Sequence, residues 1–285
     1  MKSPAEPLVS CIIPTRNRPE LVVGAIQSVL SQSYKKIEVI VIDDSTDSST
    51  QQKLARSGWP IRYCKNDKSK GASYSRNLGL IEAKGEVIAF LDDDDRWKPR
   101  KIEAQLSLMK KYPIVSCNCI ADTGGKEIYI SFPERVAYHD LLYYNFLGSC
   151  SFVIIDRGIM KDCFFDENLN CGQDWDMWLA IMAKNNIVEA ANVGEFLVYY
   201  NQGPHARITN KVDRIPALMS IYGKYQDKHD AFTNEMFGLY YMISSDDSQL
   251  VGLLRNLAIA KKKNKGLPFL LKTMVQRLFR HIVIY

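Results

Sequence analysis

The sequence predicts an α/β domain in which helices cover a parallel sheet. Three observations carry that expectation. Short, β-branched apolar runs recur along the first third of the chain. Each is followed by a segment whose apolar residues return at helical spacing. The strand runs are apolar on both faces rather than alternating, which is the pattern of strands buried between two helical layers.

The first strand is LVSCIIP (8–14), ended by Pro14. Residues 19–33 follow with Pro19 at a helix start and Leu21, Ala25, Ile26, Val29 and Leu30 at helical spacing. IEVIVIDD (37–44) is a second buried strand, closed by two carboxylates. A third amphipathic unit reaches Ser57, and IRYCKN (61–66) is a third strand. A helix opens near Gly71 and closes at Gly85, and VIAFL (87–91) is the fourth strand. After a helix over KPRKIEAQLSLMKKYP (98–113) the pattern changes. Residues 114–155 read as shorter, more polar strands and loops, with GSCSFVIID (148–156) as a strand. DWDMWLAIMAKNN (174–186) is a helix, FLVYYNQGPHARITNK (196–211) a strand running into a loop, and the chain from about Ile215 onward is helical. No internal repeat or low-complexity linker interrupts it.

At 285 residues, 46% hydrophobic and 24% charged, the chain suffices for one large domain or a domain with an appendage. Seven cysteines, an odd number with no C-x-x-C pair, read as reduced thiols of a cytosolic protein. The first residues, MKSPAEP, lack the apolar core of a signal peptide, and no run is long and apolar enough to span a bilayer. The net charge of +5 is local: from Ser248 to Tyr285 stand Arg255, Lys261, Lys262, Lys263, Lys265, Lys272, Arg277 and Arg280 and no acidic residue. The remainder is net acidic, so no nucleic-acid partner is expected.

Ligands of open parallel sheets bind beyond the carboxyl ends of the strands. Here those ends carry Pro14-Thr15-Arg16-Asn17, Asp43-Asp44 and the run Asp92 to Asp95. Four adjacent carboxylates repel one another when half buried. A hard divalent cation that carries a nucleotide diphosphate removes the repulsion. So does plain solvation of an acidic turn, with Asp95 starting the next helix.

Two stretches decide between these. PTRNRPELVVGAIQSVLSQSYKKIEVIVIDDSTD and GASYSRNLGLIEAKGEVIAFLDDDDRWKPRKI resemble glycosyltransferase family 2, the inverting transferases of GT-A fold, over residues 8–102. A looser match runs through GSCSFVIIDRGIMKDCFFDENLNCGQDWDMWLAI, and the bacterial members that build O-antigen and capsule repeat units are the most similar. The resemblance implies a mostly parallel central sheet flanked by helices, with a C-terminal helical extension. It implies a catalytic domain over 1–214 (nucleotide half about 1–100, acceptor half 101–214) and a helical region over 215–285. Pro14, Thr15, Arg16 and Asn17 then match the first nucleotide-contacting loop. Asp43 and Asp44 match carboxylates that contact uracil and ribose, and Gly71, Ser73 and Arg76 the second nucleotide-contacting segment. Asp92, Asp93 and Asp94 cover the DxD motif, with Asp94 as the direct ligand of Mn²⁺ or Mg²⁺.

The family's Glu-Asp pair before its acceptor-side helix is Gln173-Asp174 here. Asp174 is thus the expected general base, a position that also suits a helix N-cap. Gln173 is left to hydrogen-bond the acceptor. Trp97 and Trp175 are candidates to stack on acceptor sugar, whereas the helical spacing of Trp178 places it in the core. His205, in GPHARIT, is either a holder of metal or diphosphate or a solvated loop histidine.

The implied reaction moves a hexose from a UDP-sugar to a saccharide on undecaprenyl diphosphate, with inversion to a β-glycoside, at the cytoplasmic face of the inner membrane. A GDP- or dTDP-sugar donor, or a non-catalytic nucleotide-sugar-binding module marked by Gln173, are the alternatives. In the tail, Leu267, Leu270, Leu271, Met274, Leu278 and Ile282 lie on one helical face and Lys272, Gln276, Arg277 and Arg280 on the other. Such a helix contacts an anionic membrane surface or packs on the domain.

Overall fold

The computed structural model describes residues 6–202, 215–231 and 233–234. The first strand, β1 (Val9–Thr15), is buried along its whole length. It pairs in parallel with β2 (Ile37–Asp43) on one side and β4 (Val87–Phe90) on the other, and β3 (Ile61–Lys65) pairs in parallel with β2. The connections are α1 (Pro19–Leu30), α2 (Ser49–Ala55) and α3 (Ala72–Glu82). Gly79 lets α3 lie directly on β1, since a methyl group there would run into Ile12. Strands two-sided in their apolar character thus become the covered parallel sheet that the sequence predicts.

The second half completes one ten-stranded sheet, in the order β3-β2-β1-β4-β9-β6-β10-β5. Its strands are β5 (Arg96–Trp97), β6 (Ile114–Asp122), β7 (Glu127–Ile130), β8 (Arg135–Ala137), β9 (Ile154–Asp156) and β10 (Glu189–Asn201). β7 pairs with β6 and β8 with β10. Between the strands run α4 (Lys101–Met109), the short α5 (Tyr138–Leu141) and α6 (Gln173–Lys184), and α7 (Ile215–Tyr225) follows. β9 is antiparallel to both β4 and β6, so the parallel order reverses there.

Three expectations need correction. Residues 148–156 are a 3₁₀ turn at Cys150–Phe152 followed by β9, not one strand. β6 is a nine-residue, almost wholly buried strand rather than a short polar one. The strand expected at 196 begins at Glu189. α7 joins the same apolar core as the sheet through Ala217, Leu218 and Ile221. No helix among the described residues is long and apolar enough to cross a membrane. The basic tail and His205 lie outside the described residues.

Candidate active site

A cavity of about 660 Å³ opens where β1 and β4 end, and the turn before α6 faces it from the second half. Pro14, Thr15, Arg16, Asn17 and Arg18 line it from the end of β1. Asn17 adopts a left-handed backbone (φ 53°), a conformation that Asn tolerates better than most residues. Its amide donates to Ser45 Oγ at 2.7 Å and its side-chain oxygen accepts the Thr46 amide at 3.1 Å, so the loops after β1 and β2 are tied together.

The carboxylate run splits by function of position. Asp92, Asp93 and Asp94 line the cavity, while Asp95 turns into the protein and accepts the Asn201 amide at 3.0 Å. Asp93 accepts from Thr15 Oγ1 at 2.8 Å and from Arg18 at 3.0 Å. Arg18 also reaches Asp94 at 3.4 Å. Arg76 binds Asp92 at 2.5 Å and remains charged deep in the wall. Burial, with Asp94 beside it, pushes the Asp93 carboxyl up to about 6 against the pull of Arg18. Burial and the charges of Asp92 and Asp94 raise the Asp95 carboxyl as well. Three cavity carboxylates against two guanidinium groups leave hard oxygen donors in excess of the cations that neutralise them, which suits a divalent cation. Among the described residues no three His, Cys, Asp or Glu side chains converge to hold an ion by themselves. An ion at Asp94 therefore calls for oxygens brought by a ligand, the usual habit of Mg²⁺-type sites.

Asp44 borders the cavity but has little left for a ligand. Its carboxylate accepts from Asn66 Nδ2 (2.7 Å), the Lys70 amide (2.8 Å), Ser69 Oγ (2.8 Å) and the Gly71 amide (3.0 Å). Burial alone would raise this carboxyl, yet these four bonds outweigh it and hold the group below the ordinary range. Asp44 thus shapes the 66–71 loop. Replacing it with Asn turns one acceptor oxygen into a donor facing donors and should destabilise the fold by about 1–3 kcal/mol. Urea unfolding checks this. Because the folded carboxyl titrates low, the stability it contributes exists above the ordinary carboxylate range and is lost on acidification, a dependence Asp44→Asn should lack.

Asp43 is fully buried, accepting from the Ser45 amide at 2.9 Å and Tyr63 Oη at 2.5 Å, and of the pair expected at uracil and ribose only Asp44 is in the cavity lining. Ser73 is likewise buried in α3 and absent from the cavity lining, where Gly71, Ala72 and Ser75 stand instead. Trp97 and Trp175 are 4% and 3% exposed and donate their indole N–H to the carbonyls of Ser151 (2.9 Å) and Leu141 (2.6 Å). Neither offers a ring face to a sugar, so both are core residues, as is Trp178. The aromatic side chain in the lining is Tyr200, whose ring packs edge-on against Phe152 at 5.1 Å.

The second half contributes Asn170, Gly172, Gln173 and Asp174. Gly172 caps α6 in a left-handed conformation (φ 71°), and a Cβ there would stand 2.9 Å from Ile221 Cδ1 on α7. Gly172→Ala should therefore destabilise the protein by about 1 kcal/mol, read as a shifted denaturation midpoint. Gln173 donates to the Leu169 carbonyl at 2.9 Å. Asp174 accepts the Trp175 amide at 2.7 Å. Burial pushes its carboxyl up to about 6, opposed by that amide and by Arg76 and assisted by Asp92.

Arg18, Asn170, Ser149, Cys150 and Tyr200 are lining residues that the sequence reading missed. Arg18 alone had a signal: a second cation in PTRNR, directly after the strand that faces the carboxylates.

Residues 10–163 match the family model described as Glycosyl transferase family 2. The chain is 31% identical to UDP-Glc:alpha-D-GlcNAc-diphosphoundecaprenol beta-1,3-glucosyltransferase WfgD of Escherichia coli, covering 83% of this chain and 91% of that protein. It is 34% identical to WfaP of the same species, which bears the same activity in its name, over 68% and 76% of the two chains. Against the Putative colanic acid biosynthesis glycosyl transferase WcaA of E. coli K12 it is 29% identical over 82% and 88%. Among solved structures, S. aureus TarS 1-349 in complex with UDP-GlcNAc superposes with a TM-score of 0.64 at 17% identity, over 83% of this chain and 72% of that one. Of a longer TarS chain, this protein spans 43%. Mannosyltransferase PcManGT from Pyrobaculum calidifontis, in complex with GDP-Man and Mn²⁺, superposes with a TM-score of 0.59 at 15% identity, over 96% and 80%. At such identities these structures establish the α/β fold.

Proposed function

The chain belongs to glycosyl transferase family 2, and on that premise we propose that it moves a hexose from a UDP-sugar to a saccharide carried on undecaprenyl diphosphate, forming a β-glycosidic bond during bacterial surface polysaccharide synthesis. One observation carries the reading. The Asp92–Asp94 run and Asp174, from opposite halves of the chain, line one cavity with Arg76 buried between them. The names of WfgD and WfaP support the donor and the lipid-diphosphate acceptor, and the TarS complex with UDP-GlcNAc supports a uridine nucleotide in this fold.

In this reading the loops 14–18 and 66–72 receive the nucleotide, with Asp44 holding the second of them in shape. Arg76 and Arg18 keep the carboxylate wall from repelling an anionic ligand. Asp94 would hold a divalent cation, Mn²⁺ or Mg²⁺, which supplies positive charge to the departing diphosphate. Asp174 takes the proton of the acceptor hydroxyl as that oxygen attacks the anomeric carbon. A single displacement inverts the centre, so an α-linked donor yields a β-glycoside. Gln173 borders the acceptor side without adding charge. Residues 1–214 carry the donor- and acceptor-contacting residues in this assignment, and α7 packs on the same core. The basic tail of the 215–285 region, at the cytoplasmic membrane face, would bring the enzyme to its lipid-linked acceptor, and His205 would help hold the metal or the diphosphate.

The test is transfer from UDP-, GDP- and dTDP-sugars, with Mn²⁺, to a synthetic GlcNAc-diphospho-lipid. Transfer from a UDP-hexose is expected. Transfer from GDP- or dTDP-sugars alone would reassign the donor. Intact UDP binding with no transfer from any donor would make the protein a non-catalytic nucleotide-sugar-binding module.

A further inference from the structure

We infer that Lys224 of α7 is a positioning residue for the acceptor wall of the cavity, fixing the 166–176 segment that carries Asn170, Gln173 and Asp174. The inference rests on the reading of Asp174 as the general base.

Lys224 Nζ lies 2.5 Å from Asp166 Oδ2 and 3.0 Å from Asp176 Oδ2, so one ammonium group joins both ends of that segment. Asp176 stands in the first turn of α6, two residues beyond Asp174. Its side chain is only 7% exposed, and Tyr225 Oη donates to its carbonyl at 3.3 Å and its carboxylate at 3.4 Å. Ile221, one helical turn before Lys224 and Tyr225, covers Gly172. Three neighbouring side chains of α7 therefore grip the turn from which Asp174 projects. The near end of the segment is held from α3. Asn77 donates to the Phe165 carbonyl and to Glu167, both at 3.0 Å, and accepts the Phe165 amide at 2.8 Å. Asn77 is the neighbour of Arg76, which binds Asp92. The acceptor wall is thus clamped between the helix of the donor-side Arg76 and α7. Charge-assisted bonds of this length hold geometry well, and small misplacements of a base are expensive in rate.

The experiment uses the full chain and follows kcat and KM for the acceptor, UDP affinity and thermal unfolding. Lys224→Met should lower kcat/KM for the acceptor by about 10–100-fold while UDP affinity stays essentially unchanged. Lys224→Arg should restore most of that loss. Lys228→Met, at an exposed lysine in the turn after α7, should behave as wild type. Because Lys224→Met strands a buried carboxylate, the double variant Lys224→Met/Asp176→Asn is made beside it. Recovered stability with persistently slow turnover supports positioning. Turnover that recovers together with stability overturns it, as does normal kcat/KM in a folded Lys224→Met or a parallel fall in UDP affinity. Asp174→Asn in the same assay separates the premises: near-normal turnover there defeats the base assignment itself, whereas slow Asp174→Asn beside normal Lys224→Met defeats the clamp alone.

Discussion

Asp174→Asn is expected to slow transfer by about 10²–10⁴-fold, the usual share of a positioned base, while barely changing UDP affinity. Asn keeps the shape of the side chain and the acceptor oxygen that caps the Trp175 amide. What it loses is the ability to take a proton. Two neighbouring acids are poor substitutes. Asp176 is engaged by Lys224 and Tyr225, and Glu167 accepts from Asn77. Near-normal turnover in the variant would remove Asp174 from the reaction.

The pH profile supplies an independent check on the same residue. Burial raises the Asp174 carboxyl to about 6, against the Trp175 amide and Arg76. A base acts in its ionised form, so kcat/KM should climb as pH rises through about 6 and level off above it. The stability effect has the opposite sign. A carboxyl that binds its proton more tightly when folded favours the fold below the unfolded carboxylate range and loses that contribution as pH rises through about 6. Asp174→Asn removes the charge that burial disfavours. The variant should be slower, lack the acid limb and unfold at a higher denaturant concentration than wild type at neutral pH. An acid limb that survives in Asp174→Asn would assign it to another group.

The first half of the chain was legible because its strands and helices satisfy one rule each. β1, β2 and β4 are buried on both faces, and α1 starts at the proline that marks it. The second half hides its strands behind polar side chains whose partners are internal. Ser116 donates to the Leu147 carbonyl at 2.7 Å, and Asn118 donates to the Gly194 carbonyl at 2.7 Å and accepts the Phe132 amide at 2.9 Å. These residues make β6 look like a surface strand, although burial is cheap once each polar group is paired. The antiparallel insertion of β9 has no local signature, because its three residues draw their pairing from β4 and β6.

At the site, strand ends were legible and side-chain direction was not. Asp43 and Asp44 are adjacent, yet one is sealed against Tyr63 and the other faces the cavity loop, because successive side chains leave a strand on opposite faces. The sequence places both at a strand end without saying which reaches a ligand. Trp97 and Trp175 misled for a related reason: an indole whose N–H finds a backbone carbonyl sits stably in a core.

Asp94→Ala should abolish the part of UDP affinity that depends on Mn²⁺ and reduce transfer by at least about 10²-fold, since charge at the leaving group is usually a large catalytic contribution. Asp94 lines the cavity and stands at the last position of the DxD motif, which makes it the expected ligand. Asp95 is buried away from the cavity, Asp92 is bound by Arg76, and Asp93 is held by Thr15 and Arg18. Arg18 reaches Asp94 at 3.4 Å. Removing Asp94 also takes a negative charge from beside Asp93, whose raised carboxyl should fall toward its ordinary range. The wall therefore loses repulsion as well as a ligand, and metal-free UDP affinity should hold or improve while the Mn²⁺ increment disappears. Titrating UDP with and without Mn²⁺, with Mn²⁺ binding read separately by paramagnetic resonance, distinguishes these terms. An equal Mn²⁺ increment in wild type and variant would remove Asp94 as the ligand and point to Asp92, the remaining cavity carboxylate whose partner, Arg76, a phosphate could compete for.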